Sequence, residues 1–430
     1  MVYTILQRGV FLTVYVVKGG DTLYSIANDY GVNVVLLAEW NGILPPYPLS
    51  VGQSLLILSP ALTHTVTRGD TVFSISNRYG ISQNDLFRRN PSLCGGYVPL
   101  SVGQLLVIEF DEPSQNEYFK YAYAYTFIEE KILRQTLPYL SALAPFTYGF
   151  LPDGTLLSLP DAALLSACRD YGVEPLMHLS TLTENGNFSN ELASELLSSP
   201  EAQDNLIGEI IDEMTEKGYG GLDIDFEFVF ADDAQSYADF IARARNALSQ
   251  YGFTVYAALA PKTSADQPGL LYQGHLYDQI GAAADKVFLM TYEWGYTYGP
   301  PMAVAPINSV RRVLDYAVTE IPPKKIIMGI PNYGYDWTLP YKPGESRATL
   351  ISNEQAPRIA AEYNAEIKFD EASQSPYFNY YDNGTMHEVW FEDPRSISAK
   401  LALPREYGFY GVGYWNAMRP FNANWLLTSL

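Results

Sequence analysis

Cysteine, histidine and basic side chains are all scarce in this chain of 430 residues, which has 2 Cys, 4 His and 27 Lys+Arg against 48 Asp+Glu. Cys94 and Cys168 fall in different expected domains, so a structural disulfide is not expected and the chain suits a reducing compartment. The scattered histidines and lone cysteines offer no metal-ligand spacing, which argues against zinc, and no cofactor is expected. A net charge of −21 argues against nucleic acid as a partner and against docking on an anionic membrane. No apolar run reaches membrane-spanning length. Arg8 and the apolar stretch 9–17 have a faint likeness to a signal peptide. Lys18-Gly19-Gly20-Asp21 follows with no small-residue cleavage site, so Val14–Val17 reads as the first strand of a domain.

What is plentiful points to folded, multi-domain material. Apolar residues make up 47% and charged residues 17%, and the length calls for two or more units. Aromatics reach 14%, with 34 tyrosines. Flat amphipathic rings serve to stack on sugar faces, although many will be core residues.

The front of the chain repeats itself. Residues 20–31, beginning Gly20-Asp21-Thr22, recur as residues 69–80, beginning Gly69-Asp70-Thr71. Asn41 matches Asn90, and 49–53 (Leu-Ser-Val-Gly-Gln) matches 100–104. Each copy reads as a short strand (14–17, 65–67) and a Gly-Asp-Thr turn able to cap a helix. Gly31 or Gly80 ends that helix, a second helix follows (34–40, 83–89), and a last strand closes the copy (55–58, 105–108). These landmarks resemble the LysM module over 13–59 and 63–109. The resemblance implies binding to an N-acetylglucosamine-containing polymer, peptidoglycan or chitin, with Gly20, Asp21, Thr22, Gly69, Asp70 and Thr71 lining the groove. Turn formation and helix capping account for the same six residues nearly as well. The Pro45-Pro46-Tyr47-Pro48 insertion and the Asn90-Pro91 loop set the two copies apart.

Residues 111–117 are polar, contain a proline and read as a linker. Beyond them, strand-like runs at 120–126, 145–150, 175–179, 221–228, 254–259, 286–291, 326–330 and 411–414 alternate with helical patterns. Eight strands so spaced over residues 118–430 predict an α/β fold, a (β/α)8 barrel. A doubly wound sheet is the competitor, but no Gly-rich phosphate loop follows the first strand. The gap between strands seven and eight is too long for one helix and predicts a small α+β insertion over 337–395.

The fourth strand carries the most informative pattern. In residues 220–228 (Gly-Gly-Leu-Asp-Ile-Asp-Phe-Glu-Phe), Asp223, Asp225 and Glu227 alternate with Leu222, Ile224, Phe226 and Phe228, so the three carboxylates share one face. Crowded, partly desolvated acids raise at least one proton affinity, as a general acid working near neutral pH requires. An exposed strand with one wet face is the bland reading, and the bulky apolar partners oppose it.

This run resembles the Asp-x-x-Asp-x-Asp-x-Glu signature of glycoside hydrolase family 18. Met290-x-Tyr292-Glu293 is similar to the family's Met-x-Tyr-Asp motif, and Trp415 falls where the family places a tryptophan beneath the sugar. Two departures stand out: Gly220 replaces the first Asp, and the usual Ser-x-Gly-Gly of strand three is missing from residues 177–181. The resemblance implies substrate-assisted, retaining glycoside hydrolysis. In it Glu227 is the acid, Asp225 orients the acetamide, Asp223 shares a proton with Asp225, Tyr292 binds the acetamide oxygen and Trp415 stacks under the ring. Met290, Glu293, Tyr333 and Trp390 are further candidates for the substrate site. With two LysM modules in front, the whole resembles the cortical-fragment-lytic N-acetylglucosaminidases of spore formers, which implies a location on the spore or cell wall. A chitinase, or a glycan-binding protein without activity, is the alternative reading.

Overall fold

The computed structural model describes residues 2–7, 10–111, 118–183 and 188–430, with side chains from Thr13 onward. The expected linker therefore lies, from residue 112, outside the described residues.

Two small modules precede the barrel. In the first, Val2–Gln7 pairs antiparallel with Val10–Val16, which pairs in turn with Ser54–Ile57. Val14–Val17 is thus not the first strand. The run Val-Tyr-Thr-Ile-Leu before it is rich in strand-forming residues and covers the edge that would otherwise stay open. In the second module Pro60–Thr65 pairs with Leu105–Phe110. The strand stops short of Thr67 because the Thr67 N–H donates instead to Asp70 Oδ2, at 2.8 Å.

Thr22 and Thr71 cap helices Leu23–Asp29 and Val72–Tyr79, each in a reciprocal capping box with the serine three residues on. Such a cap contributes about 1 kcal/mol. The second helices span Val34–Trp40 and Gln83–Arg89, as the sequence predicts. Both cysteines are buried and unbridged. No helix among the described residues is long and apolar enough to cross a membrane.

The modules are docked on the barrel. Ile367 N–H donates to Val51 O at 2.8 Å, Asn422 Nδ2 to Glu39 O at 2.7 Å, and Tyr139 OH to Arg88 O at 2.7 Å. A single buried apolar core runs from the modules into the barrel.

Eight parallel strands close that barrel: Phe119–Tyr125, Ala142–Phe146, Glu174–Ser180, Gly221–Asp225, Thr254–Leu259, Lys286–Leu289, Ile326–Pro331 and Gly411–Trp415. The second strand starts earlier than expected because Ala142–Phe146 is fully buried. The fourth ends at Asp225, so Phe228 and Glu227 lie on the loop that leaves it. Between the seventh and eighth strands sits a five-stranded sheet, ordered 349–351, 334–338, 385–390, 375–382, 368–370, with helix Gln355–Glu362. It is the expected α+β insertion, and its first strand is Gly334–Thr338.

Candidate active site

Parallel strands of a barrel point their carboxyl ends at one rim, and there the acidic row of the fourth strand emerges. Asp223 is fully buried and lies deepest. Its Oδ2 accepts from Tyr121 OH at 2.6 Å and from Tyr123 OH at 2.8 Å, both on the first strand. Asp225, 5% exposed, has Oδ2 3.3 Å from His178 Nε2. The Oδ1 atoms of Asp223 and Asp225 are both buried without a hydrogen-bond partner. A buried bare acceptor is costly, and protonation of its carboxyl group lowers that cost. Burial raises the Asp223 carboxyl above its ordinary range, an effect that His178 opposes.

Glu227 is half-buried one step further out. Desolvation, then the charges of Asp225 and Glu293, push its carboxyl well above the usual range. It is therefore a protonated acid at pH values where free glutamic acid has ionised. The carbonyl between these two acids, Phe226 O, lies 3.0 Å from His275 Nε2, while His275 Nδ1 accepts the Ala260 N–H at 2.9 Å. Accepting at Nδ1 leaves Nε2 as the donor, so the ring is neutral, and burial lowers its pKa to about 4. The turn that aims Glu227 is thus pinned from behind.

A cleft of about 300 Å³ opens over these groups. Asp225, Glu227, Met290, Tyr292, Glu293 and Trp415 all line it, together with Tyr123, Tyr272 and Trp294. The Tyr292 hydroxyl has no hydrogen-bond partner among the described residues. Burial and the nearby Asp225 and Glu227 charges keep it protonated, hence a donor. Glu293 stands at the lip with φ +66°, a left-handed conformation that costs a non-glycine residue on the order of 1 kcal/mol. Tyr333 and Tyr335 hold its carboxylate, the latter at 3.1 Å.

Two expected substrate residues sit elsewhere. Tyr333 is buried behind Glu293 and does not border the cleft. Trp390 lies on the insertion sheet, its ring stacked 4.6 Å from Tyr377 and its Nε1 donating to Glu388 at 2.7 Å.

In the front modules, Asp21 accepts from Tyr15 OH and Lys18 N–H, both at 2.7 Å. Asp70 accepts from Thr67 N–H and lies 2.9 Å from His64 Nε2. Gly20 and Gly69 take φ +92° and +94° in the turns, while Thr22 and Thr71 cap. All six residues are in structural use.

The alternation of Tyr121, Tyr123 and Tyr125 on the first strand was the available signal for the missed Asp223 partners. His178 stands on the third strand where the family's serine motif is missing, and only the pairing of third with fourth strand, His178 opposite Asp223, discloses it.

Comparison with known proteins agrees with this architecture. Residues 176–419 match the family described as Glycosyl hydrolases family 18, and residues 15–58 and 64–109 each match the LysM domain. The cortical fragment-lytic enzyme of Bacillus subtilis (strain 168) is 38% identical over 97% of both chains. The crystal structure of the Bacillus megaterium spore cortex-lytic enzyme SleL superposes with a TM-score of 0.81, at 38% identity over 96% of both chains. A chitinase from Chromobacterium violaceum superposes with a TM-score of 0.68, at 25% identity over 72% of this chain and 98% of its own.

Proposed function

Since the chain belongs to the glycosyl hydrolases of family 18 and carries two LysM domains, we propose that it cleaves spore-cortex peptidoglycan after N-acetylglucosamine, by retaining, substrate-assisted catalysis. The observation that carries this reading is the convergence of Asp225, Glu227, Tyr292 and Trp415 on one cleft, with Asp223 beneath.

In this account the substrate supplies its own nucleophile. The acetamide carbonyl attacks the anomeric carbon, so no protein carboxylate need do so. Glu227 gives its proton to the leaving oxygen and then takes one from the incoming water. Asp225 accepts from the acetamide N–H, which holds the carbonyl against the anomeric carbon and steadies the positive charge that develops. Asp223, its Oδ2 already occupied by two phenols and its Oδ1 bare, shares a proton with Asp225. Tyr292 donates to the acetamide oxygen, and Trp415 stacks under the ring. Glu293 and Met290 shape the entrance.

The LysM domains tether the enzyme to its polymer, with the Gly-Asp-Thr turns supplying shape rather than free side chains. The names of the relatives, a cortical fragment-lytic enzyme and a spore cortex-lytic enzyme, support a location on the spore, where an enzyme of cortex would act.

A chitinase is the second reading, favoured by the superposition with the chitinase structure. Purified protein assayed on cortex fragments, intact sacculi and chitin oligomers, each beside Glu227→Gln, separates the readings. Release of fragments from cortex alone supports the proposal. Equal or better cleavage of chitin supports the second reading, and no loss in the variant overturns both.

A further inference from the structure

Residues 260–276 connect the fifth strand to helix Tyr277–Ala283. This loop borders the cleft through Pro261, Leu271 and Tyr272, and its end packs against the segment that carries Glu227. A Cβ on Gly274 would stand 2.4 Å from Val229 O, so glycine is needed for so close an approach. The next residue, His275, is fully buried and donates through Nε2 to Phe226 O at 3.0 Å, while its Nδ1 accepts the Ala260 N–H at 2.9 Å. Its own N–H donates to Tyr272 O at 3.1 Å, and its carbonyl accepts from Lys262 Nζ at 3.0 Å. The loop that walls the cleft is therefore also the one that grips the peptide between Phe226 and Glu227.

That grip matters because Glu227 lies past Asp225, the last residue of the fourth strand. The aim of its carboxyl rests on the backbone beneath it. The Phe226 ring, stacked on Tyr237 at 5.4 Å and Phe240 at 5.8 Å, fixes one side of that backbone, and His275 fixes the carbonyl. Protonation undoes the second hold. An imidazole with a hydrogen on each nitrogen cannot accept the Ala260 N–H, and two N–H groups would then face each other. The charged and titratable groups around the ring are Asp225, Lys262, Tyr277 and, from helix Ala234–Leu248, Tyr237 with its ring 5.9 Å away. Asp225 favours the proton and Lys262 opposes it, while the Tyr277 hydroxyl donates to Ala260 O and accepts the Lys262 N–H. Burial outweighs these and lowers the pKa from the ordinary 6.5 to about 4, so the ring is neutral until the solution is distinctly acid.

We propose that His275 is the positioning residue for Glu227, and that a proton taken up at its Nδ1 releases the Phe226–Glu227 peptide and switches turnover off in acid. The neutral ring holds the peptide from below, so the Glu227 carboxyl meets the leaving oxygen in one fixed pose. The inference rests on the reading that Glu227 is the general acid. It adds the side chain, and the protonation state of that side chain, on which the acid's aim depends.

The test measures kcat and KM against pH for the full chain, His275→Leu and His275→Gln, on whichever of cortex fragments and chitin oligomers the unmutated enzyme cleaves. His275→Leu removes both ring nitrogens and should lower kcat about tenfold or more at neutral pH, with KM within about twofold. Glutamine keeps a donor for Phe226 O and an acceptor for the Ala260 N–H but takes up no proton. His275→Gln should therefore restore kcat to within about threefold and stay active about one pH unit further into acid. Hydrogen exchange over residues 226–230, read by mass spectrometry without substrate and corrected for the intrinsic rate, should quicken in His275→Leu. In the unmutated protein it should quicken only in acid. Full turnover in His275→Leu, a loss carried by KM, or an acid limb unmoved in His275→Gln overturns the proposal. An unmutated enzyme that cleaves neither substrate fails the hydrolase reading instead, and the exchange rates then decide by themselves whether His275 holds the turn.

Discussion

His178 Nε2 lies 3.3 Å from Asp225 Oδ2, and its Nδ1 meets the Thr147 hydroxyl at 2.6 Å. The imidazole thus ties the Asp225 carboxylate to the residue that follows the second strand, while its face stacks on Phe146 at 4.7 Å. His178→Phe keeps a ring of similar size and removes both nitrogens. Leaving the buried Asp225 Oδ2 unpartnered should cost about 1–3 kcal/mol in chemical denaturation, while the Thr147 hydroxyl keeps Ser180 Oγ at 3.0 Å. Turnover should fall about tenfold, with KM little changed, because a mis-set Asp225 harms the transition state more than binding. Loss of stability with unaltered turnover would mean that the histidine is only packing.

Glu227→Gln should reduce turnover by about 10²–10⁴-fold. It should also raise stability, and the sign follows from linkage. Burial raises the native carboxyl well above its ordinary 4.5, so the native state binds the proton more tightly than the unfolded chain. Stability therefore falls as pH rises from about 4.5 through the raised native value. Glutamine has no charge to desolvate, so melting temperature should exceed that of the unmutated protein at neutral pH and converge with it below about pH 4. A variant no more stable at pH 7 would contradict the assigned desolvation of Glu227.

Removing the Tyr292 hydroxyl tests its proposed donation to the acetamide oxygen. Tyr292→Phe should lower kcat by about 10²–10³-fold, the range for losing one preorganised donor to a developing charge. Because the phenol has no hydrogen-bond partner among the described residues, thermal stability should hardly change.

Docking of the first LysM module can be weighed with an internal control. Gly52 and Gly103 occupy matching turns with φ +85° and +87°. A Cβ on Gly52 would stand 1.8 Å from Ile367 O, whereas one on Gly103 meets nothing within 4 Å. Both alanine variants bear the same left-handed strain, about 1–2 kcal/mol, and only Gly52→Ala must also push the module off the insertion. Small-angle scattering should show expansion for Gly52→Ala alone. Identical profiles would show that this contact does not hold the module.

How much of this was legible depends on the range of the signal. The helices at 34–40 and 83–89 and the fifth strand at 254–259 were read at their observed limits, because caps and turns around them are local. The acids of the fourth strand were legible for the same reason, since alternation puts them on one face. The second strand was misplaced because residues 142–150 are apolar or aromatic almost throughout, Thr147 excepted, and carry no period. Tyr121, Tyr123, His178 and His275 escaped because their roles arise only when strands distant in sequence are brought side by side. Tyr333 and Trp390 were singled out by residue type, and the fold spends the first on Glu293 and the second on Tyr377.

The stereochemistry of the first-formed product tests the central claim most directly. Proton NMR of a β-linked N-acetylglucosamine oligomer or cortex fragment, recorded in the first moments of cleavage, should show the β-anomer at the new reducing end before mutarotation. Attack by the substrate's own acetamide followed by water inverts the anomeric carbon twice and retains configuration. The α-anomer appearing first would mean that water attacks directly, and the roles given to Asp225 and Tyr292 would fall with that result.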